Sequence, residues 1–371
     1  MRIGVNGSIV DPFLSGLGVY AVNILREVSR LCDDVVVYTP YPEICNIDSA
    51  KIRRISKKVR LSLGPKGYFI RILWVQTLLQ ARLLKDKVSL MFSPLPEGMI
   101  LPFVPQVLTV LDITPLHFPK EYPLQQYYLR YFVSKLLRKS AGIIAISENT
   151  KQDILTSFGI GPERINVILP GYDRSRYRSG IEPWGVKSKY GLKSYLLYVG
   201  NLMPHKNLRR LLRAFALLNR ELPYTLVIAG WKDPRHYPTL EIETQALGIA
   251  EKVLFLNYVP ADELPALYAG AELFVFPSLY EGFGLPPLEA MACGCPVLVS
   301  NTASLAEVCG DAAYYVDPYG VENIAEGIYK VTTNGQLKRN LALKGTERAK
   351  LFSWEKSARE HMKVFKKVLN E

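Results

Sequence analysis

The chain has 371 residues, of which 49% are hydrophobic and 22% are charged, and this composition is typical of an ordinary globular protein large enough for two domains. No uninterrupted apolar run is long enough to cross a bilayer, so the sequence predicts no membrane span. The net charge of +12 lies almost wholly in residues 1–190, which hold 26 Lys and Arg against 15 Asp and Glu, and this asymmetry concerns the choice of partner rather than the fold.

The N-terminus and the cysteines bear on location. Residues 1–7 have the pattern of a first strand and not of a signal peptide. The five cysteines are odd in number, and none is grouped with histidine in the way that metal ligands are. The sequence therefore predicts a reducing, cytoplasmic location and no metal site.

The first half of the chain alternates apolar runs with helical patterns, as a doubly wound sheet requires. A helix is predicted over Val19–Leu31, where apolar residues recur at helical spacing. The predicted strands are Arg2–Asn6, Val35–Thr39, Val88–Phe92, Gln106–Leu111, Gly142–Ile146 and Ile165–Leu169.

Two glycines, Gly16 and Gly18, precede the predicted helix with the Gly-x-Gly-x-x-Ala spacing of a dinucleotide-binding fingerprint. Such a fingerprint follows its strand directly, whereas Gly16 comes ten residues after Asn6. The second strand also ends at Thr39 without the acidic residue that binds a ribose. We therefore reject the dinucleotide interpretation, and a tight turn is the simplest alternative.

Residues 51–87 are strongly basic, with 11 Lys and Arg and a single acidic residue, Asp86. A helix rich in aromatic and aliphatic residues begins within this segment at Tyr68, and residues 127–139 repeat the mixture. The pattern fits an interfacial surface for an anionic membrane, and it equally fits a solvated basic face that packs on its own core. No nucleic-acid recognition module accompanies the charge, so we expect no nucleic-acid partner.

In the second half, the apolar strand that begins at Tyr195 leads to Gly200, Asn201 and then Lys206 at the entry to a helix. A strand, a glycine and a basic residue at a helix start form an anion site, and the alternative is an ordinary surface lysine. Further strands are predicted at Tyr224–Ala229 and Val253–Leu256.

The most informative stretch lies between two apolar runs, Leu273–Pro277 and Pro296–Ser300, which read as parallel strands. It places Glu281 on a loop at the carboxyl end of a strand and Glu289 in the first turn of a short helix. Open α/β sheets bind ligands at this edge, and carboxylates there accept hydrogen bonds from sugar hydroxyls. The alternative for such a pair is a solvated acidic face.

The sequence Glu281-Gly282-Phe283-Gly284-Leu285, followed by Glu289, resembles the signature of the retaining GT-B glycosyltransferases of family 4. The resemblance implies an α/β GT-B fold in which two Rossmann-like doubly wound domains face each other across a cleft. It places the acceptor-binding domain at residues 1–172, completed by a C-terminal helix over 354–371. A linker follows over 173–194, and the nucleotide-sugar-binding domain spans 195–353.

The resemblance also implies a role for each matching residue. Glu281 lies at the donor sugar and Glu289 binds the ribose of the nucleotide. The remaining donor-binding positions are the Gly16–Gly18 loop facing the phosphates, Gly200 and Asn201, Lys206 at the β-phosphate, the main chain of Tyr258 and Val259 at the base, and the amides of Phe283, Gly284 and Leu285. Asp112 matches the second residue of a His-Asp strand end, so the residues expected to act in catalysis are Glu281, Lys206 and Asp112.

Two positions depart from the family pattern. Leu111 stands where the family has the histidine before Asp112, and Asn201 stands where the family often has an arginine after the glycine. Lys206 is then expected to carry the phosphate charge either without arginine support or with support from Arg209 or Arg210. These departures keep open a non-catalytic nucleotide-sugar-binding protein of the same fold. A nucleotide-sugar epimerase is a third alternative, against which the two-glutamate signature argues.

The resemblance therefore implies a retaining glycosyltransferase that uses no cofactor. We expect it to be metal-independent, because no two aspartates lie two residues apart to form a metal motif. It is expected to move a hexose from a nucleoside-diphosphate sugar, with UDP preferred to GDP. The expected acceptor is a saccharide or lipid-linked saccharide in surface polysaccharide synthesis. The predicted location is cytoplasmic, with peripheral attachment to the inner face of the cell membrane through residues 51–87 and 127–139.

Overall fold

The structure is a computed structural model that describes residues 1–12, 16–60, 63–218 and 221–370. It divides into two compact units. Unit 1 consists of Met1–Gly171 together with the segment that begins at Ser353, and unit 2 consists of Tyr172–Phe352. Each unit is built around its own parallel sheet.

Unit 1 contains a seven-stranded parallel sheet in the order β3-β2-β1-β4-β5-β6-β7. Its strands are β1 (Ile3–Asn6), β2 (Val35–Thr39), β3 (Ile52–Arg54), β4 (Leu90–Ser93), β5 (Gln106–Val110), β6 (Gly142–Ala145) and β7 (Ile165–Val167). The strand order reverses between β1 and β4, which makes the sheet doubly wound. The central strands are buried along their whole length, as parallel strands covered on both faces are.

The α-helices of unit 1 within Met1–Gly171 are α1 (Gly16–Leu31), α2 (Pro42–Cys45), α3 (Gly64–Trp74), α4 (Gln80–Lys85), α5 (Thr114–His117), α6 (Pro123–Tyr127), α7 (Ser134–Arg138) and α8 (Glu148–Phe158). A π-helical segment, Val75–Leu79, joins α3 to α4. A second one, Tyr128–Val133, joins α6 to α7. Residues 64–85 and 123–138 therefore form two continuous helices.

Unit 2 contains a six-stranded parallel sheet in the order β10-β9-β8-β11-β12-β13. Its strands are β8 (Tyr195–Val199), β9 (Thr225–Ala229), β10 (Val253–Leu256), β11 (Leu273–Phe276), β12 (Val297–Ser300) and β13 (Tyr314–Val316). Its helices are α9 (Trp184–Tyr190), α10 (Leu208–Leu218), α11 (Tyr237–Ala246), α12 (Leu264–Ala269), α13 (Leu285–Ala292), α14 (Leu305–Cys309), α15 (Val321–Thr333) and α16 (Gly335–Ala349). The strand order reverses between β8 and β11.

The last helix, α17 (Trp354–Asn370), belongs to unit 1 and packs on α1. The rings of Tyr20 and Trp354 meet edge to face at 5.7 Å, and the Tyr20 hydroxyl lies 3.1 Å from Nε2 of His361. Burial lowers the pKa of His361 to about 4, so this imidazole is neutral. The helix also covers Phe92 of β4, whose ring lies 5.0 Å from that of Phe365.

The predicted α/β architecture of two doubly wound sheets is confirmed. Strand β3 was not predicted, because its sequence Ile-Arg-Arg forms a short edge strand with two exposed residues. Residues 173–194, expected to form a linker, cluster with unit 2 and include α9. Within the described residues, no helix is both long and apolar enough to cross a bilayer.

Candidate functional site

Apart from Tyr258 and Val259, which follow β10, the residues singled out in unit 2 lie after the carboxyl ends of β8 and β11, which are neighbours in the sheet. The strand order reverses between these two strands, and this is the position at which open α/β sheets bind ligands. The loop after β8 carries Gly200 to Lys206, and the loop after β11 carries Glu281.

Lys206 and Glu281 form an ion pair in which Nζ lies 2.7 Å from Oε1. Only 13% of the lysine side chain and 12% of the glutamate side chain are exposed, so Lys206 is not an ordinary surface lysine. The ammonium group also lies 5.7 Å from the centre of the Phe276 ring. A cation held in this way against one carboxylate can also meet a second anion.

Asn207 fixes the position of Lys206, and the sequence interpretation did not single it out. It is buried with a left-handed φ of 63°, which asparagine tolerates better than most residues. Its Nδ2 donates to the carbonyl oxygens of Pro277 at 3.0 Å and Pro318 at 2.6 Å. One side chain thus joins the loop after β8 to the loops after β11 and β13. An asparagine at a loop-to-helix junction is the only signal that the sequence offers for this role.

The loop from Glu281 to Leu285 is held from behind by Ser304, whose buried Oγ lies 2.9 Å from the carbonyl oxygen of Glu281 and 2.8 Å from that of Phe283. Gly284 has a φ of 114°, and a Cβ on it would lie 2.9 Å from Leu305. The position therefore requires glycine.

The amide groups at the start of α13 are those of Phe283, Gly284 and Leu285. Over the described part of the chain, these three N–H groups have no acceptor in the protein. The Phe283 side chain is buried and meets the ring of Phe352 edge to face at 5.8 Å, which leaves its main chain for a ligand. Free amides at a helix N-terminus form an anion site.

Glu289 lies in the second turn of α13, so its predicted place in the first turn was wrong by one residue. The hydroxyl of Tyr268 donates to its Oε2 at 3.2 Å, and Tyr177 also hydrogen-bonds to the carboxyl group. Burial raises the pKa of Glu289 to about 7, and these two hydrogen bonds oppose the increase. Tyr177 comes from the stretch that was expected to be a linker, and no local pattern in the sequence indicates its contact with Glu289.

Gly200 lies where two backbones approach closely. A Cβ on Gly200 would lie 2.7 Å from the Tyr198 hydroxyl, and a Cβ on Gly230 would lie 1.8 Å from the carbonyl oxygen of Gly200. The exposed Asn201 follows, and its main-chain oxygen accepts a hydrogen bond from Tyr198 at 2.9 Å. The loop after β8 is therefore shaped by backbone contacts that larger residues would break.

The two arginines expected to replace the missing charge are already engaged. Arg209 and Arg213 both bind Glu243, with Nε to carboxylate distances of 2.5 and 2.7 Å. Arg210 donates from Nη1 to Oδ1 of Asn207 at 2.9 Å, and its guanidinium lies over the ring of Tyr319. Arg209 thus supports α11, and Arg210 acts on the site through Asn207.

The predicted base-binding turn follows β10, where Tyr258 is exposed and Val259 is buried. Its neighbour Asn257 accepts a hydrogen bond from the amide of Lys232 at 3.2 Å. This contact joins the turn to the loop after β9.

The predicted residues of unit 1 have local roles in the structure. Asp112 accepts a hydrogen bond from the amide of Thr114 at 2.8 Å at the start of α5, and Leu111 is buried in the core. Gly16 is the first residue of α1 and Gly18 lies in its first turn, so the prediction of a glycine loop at these positions was wrong. The apolar face of α1 extends the helix back to Gly16, and residues 13–15 lie outside the described part of the chain.

Within the described residues, no group of three or more His, Cys, Asp and Glu side chains could hold a metal ion. Lys206 and the free amides of α13 contribute positive charge at the site.

Comparison with known families places both halves of the chain. Residues 14–176 match the family described as Glycosyltransferase Family 4, and residues 186–348 match Glycosyl transferases group 1. The chain is 36% identical over 270 residues to O-antigen chain mannosyltransferase B of Escherichia coli, with 70% of each chain covered. This chain belongs to glycosyltransferase family 4. As a member of that family it is a glycosyltransferase of the GT-B fold.

Two further comparisons concern a relative and the fold. The family 4 chain is 30% identical over 273 residues to the serotype-specific mannosyltransferase WbdA of Escherichia coli, and the match covers 70% of this chain and 33% of WbdA. Among solved structures, the sucrose-phosphate synthase of Thermosynechococcus elongatus superposes with a TM-score of 0.81 at 20% identity, with 100% of both chains covered. At this identity the structural likeness concerns the fold alone.

Proposed function

We propose that this glycosyltransferase moves a mannosyl residue from a nucleoside-diphosphate sugar to a saccharide or lipid-linked saccharide during synthesis of a surface polysaccharide. The observation that carries the proposal is the Lys206–Glu281 pair on the loops after β8 and β11, where Glu281 shares its loop with the free amides of α13. The choice of mannose is supported by the names of the two Escherichia coli relatives.

The proposed chemistry follows from charge. As the bond from the sugar to the diphosphate breaks, negative charge develops on the leaving group. Lys206 and the amides of Phe283, Gly284 and Leu285 would neutralise it, and a positioned donor of this kind is worth about 10²–10³ in rate. Glu281 would accept hydrogen bonds from the donor sugar, and Glu289 from the ribose hydroxyls.

We further propose that the reaction retains the anomeric configuration and requires neither a metal ion nor a cofactor. Support for the metal-independent route is that Lys206 supplies a cation beside Glu281, the carboxylate that we propose accepts hydrogen bonds from the donor sugar. Asp112 of unit 1 is proposed to serve on the acceptor side, where its hydrogen bond to the Thr114 amide fixes its orientation.

The nucleotide is tested directly. UDP is the expectation from the sequence, and GDP is the competing choice. The purified chain is incubated without metal with UDP-mannose, GDP-mannose, UDP-glucose and UDP-galactose, with and without a mannose-containing oligosaccharide, and release of the nucleoside diphosphate is measured. Release from one mannosyl donor that increases with the acceptor supports the proposal, and release from glucosyl or galactosyl donors alone contradicts the choice of mannose.

A second function, binding of a nucleotide sugar without transfer, is favoured by Leu111 and Asn201, which replace residues typical of the family. The two functions differ in a thermal-shift experiment run beside the release assay. A ligand that binds only the folded state raises the Tm in proportion to RT ln(1 + [L]/Kd). A rise in Tm with no nucleotide release would indicate the binding protein. If the chain shows neither a rise in Tm nor nucleotide release, both functions are contradicted.

A further inference from the structure

The helix formed by residues 64–85 is apolar on the side that faces solvent. Its exposed large side chains are Phe69, Ile70, Leu73, Leu78 and Leu84, and between 37% and 62% of each is accessible. We call these five residues the outer stripe. The opposite side is also apolar, because Trp74, Val75, Leu79 and Leu83 are buried in the core of unit 1. A surface helix of a globular protein normally turns polar residues outward, so this helix lacks its polar face.

The π-helical segment contributes to the outer stripe. Leu73 and Leu78 are five residues apart and both exposed, which matches the wider turn of Val75–Leu79. At roughly 1.5 Å per residue, the 22 residues from Gly64 to Lys85 extend over about 30 Å. The stripe is therefore a long, narrow apolar surface and not an isolated exposed side chain.

Two neighbouring elements add exposed apolar side chains. The loop that contains Leu101 and Phe103, which are 73% and 70% exposed, is joined to the helix through Gln76. The side chain of Gln76 donates to the carbonyl oxygen of Gly98 at 2.7 Å and accepts from the amide of Ile100 at 3.0 Å.

The second element is the helix formed by residues 123–138. It exposes Leu124, Tyr127 and Tyr131, and the last two rings are stacked at 6.3 Å. It is joined to the first helix by an edge-to-face contact of Tyr68 with Tyr128 at 5.1 Å. Both elements are therefore in contact with the helix of residues 64–85.

A buried ion pair holds this surface rigid. Arg71, on the inner side of the helix, donates to Glu97 from Nε at 2.8 Å and from Nη2 at 2.7 Å, and 2% and 8% of the two side chains are exposed. Of the basic residues in segment 51–87, Arg71 and Lys51 thus serve the fold, since Lys51 donates to the carbonyl oxygens of Ser29 and Cys32. The basic segment as predicted from sequence is therefore only partly a surface.

Four exposed cations lie on the two helices that carry these apolar residues. Lys66 and Lys85 are exposed near the two ends of the outer stripe, and Arg130 and Lys135 are exposed on the second helix. None of these four makes an ion pair within the described residues. The one acid of segment 51–87, Asp86, accepts a hydrogen bond from Tyr38 and pairs with Arg53. Apolar residues bordered by unpaired cations fit a bilayer of anionic lipids.

We propose that the outer stripe and the adjoining apolar residues form a docking surface for an anionic lipid bilayer, on which the helix of residues 64–85 lies in the plane of the interface. A second copy of the chain is a poorer occupant, because it would bring like-charged borders together. This proposal goes beyond the proposed transfer reaction and does not depend on which sugar is moved.

The test is co-sedimentation of the purified full-length chain with vesicles, in the absence of donor and acceptor. Vesicles of phosphatidylglycerol mixed with phosphatidylcholine are compared with vesicles of phosphatidylcholine alone. We expect binding to the anionic vesicles and a fall of at least about tenfold in the partition coefficient for Phe69→Ser/Leu73→Ser. The matched control, Ile242→Ser/Leu343→Ser, removes two apolar residues of unit 2 that are more exposed than Phe69 and Leu73, and it should bind like the native chain.

Charge is tested separately. Lys66→Glu/Lys85→Glu should weaken binding to anionic vesicles by about tenfold or more and leave binding to phosphatidylcholine unchanged. Lys193→Glu/Arg339→Glu makes the same change of charge at exposed positions of unit 2 and should have little effect. Leu101→Ser/Phe103→Ser is a second variant in which apolar side chains are removed, here outside the helix. With two such apolar variants, a folding defect in one of them does not decide the outcome.

Three results would overturn the proposal. One is no binding of the native chain to anionic vesicles. Another is equal binding by the native chain and by both apolar variants. The third is that the native chain is a dimer by light scattering and does not bind vesicles, whereas Phe69→Ser/Leu73→Ser is a monomer. None of these results bears on nucleotide release in the transfer assay, so failure here is distinguishable from failure of the proposed function.

Discussion

Replacing Lys206 by methionine removes the cation that lies 2.7 Å from Glu281 and leaves a carboxylate with 12% of its side chain exposed. An unpaired group so poorly hydrated costs roughly 1–3 kcal/mol of stability. The double variant Lys206→Met/Glu281→Gln removes both charges, and we expect it to recover most of that loss. The two single variants and the double variant form a cycle that measures the interaction.

The double variant is expected to recover stability but not activity. If Lys206 neutralises the leaving diphosphate, its loss lowers turnover by about 10²–10³, and neutralising Glu281 cannot restore a missing cation. The double variant is therefore expected to be stable and inactive. A purely structural pair would instead regain activity together with stability.

Both quantities are measured on the same preparations, stability by denaturant titration and turnover by nucleotide release from the donor. The control is Lys189→Met, which breaks a 2.6 Å ion pair with Glu263 in which 53% of the lysine side chain is exposed. An ion pair so exposed to solvent contributes little to stability, so this variant should lose little stability and no activity. Native turnover in Lys206→Met, or in the double variant, would refute the assignment of Lys206.

The remaining predictions concern the rest of unit 2. Because the pKa of Glu289 is raised to about 7 in the folded protein from an ordinary value of 4.5, its stabilising effect is complete below pH 4.5 and disappears as the pH rises through 7. Denaturant titrations across this range should show that Glu289→Gln removes this part of the pH dependence; an unchanged profile would contradict the assignment. Gly230→Ala should destabilise by about 1–3 kcal/mol or more, because its Cβ would overlap the carbonyl oxygen of Gly200. Gly185→Ala, where a Cβ meets open space, is its control. Asn207→Ala should lose roughly 2 kcal/mol from two hydrogen bonds, with Asn207→Gly showing whether the left-handed φ adds to that loss.

The strands could be predicted because their physics is local. Val35–Thr39 and Val253–Leu256 were predicted with the bounds that the structure has, since short apolar runs between turns are typical of parallel strands, whether buried as in β2 or half-buried at an edge as in β10. Strand β3 could not be predicted in this way. It is an edge strand whose sequence resembles a basic loop.

The site was predictable in outline and not in its contacts. The sequence placed Lys206 and Glu281 at strand ends, but their ion pair depends on the sheet order that makes β8 and β11 neighbours. Asn207 and Ser304 act through main-chain carbonyl groups distant in sequence, and no local pattern reports such contacts. Arg71 looked like part of a basic surface, and only the structure reveals the buried partner that explains it.

The place of α17 in unit 1 has a consequence for synthesis on the ribosome. Unit 2 is contiguous in the chain, whereas unit 1 is completed only by the segment that begins at Ser353. At about 5–20 residues per second, the N-terminal part of unit 1 waits on the order of ten seconds or more for its last helix. During that interval Tyr20 and Phe92 lack the contacts that Trp354 and Phe365 later provide, so the nascent chain exposes apolar surface that the folded protein buries.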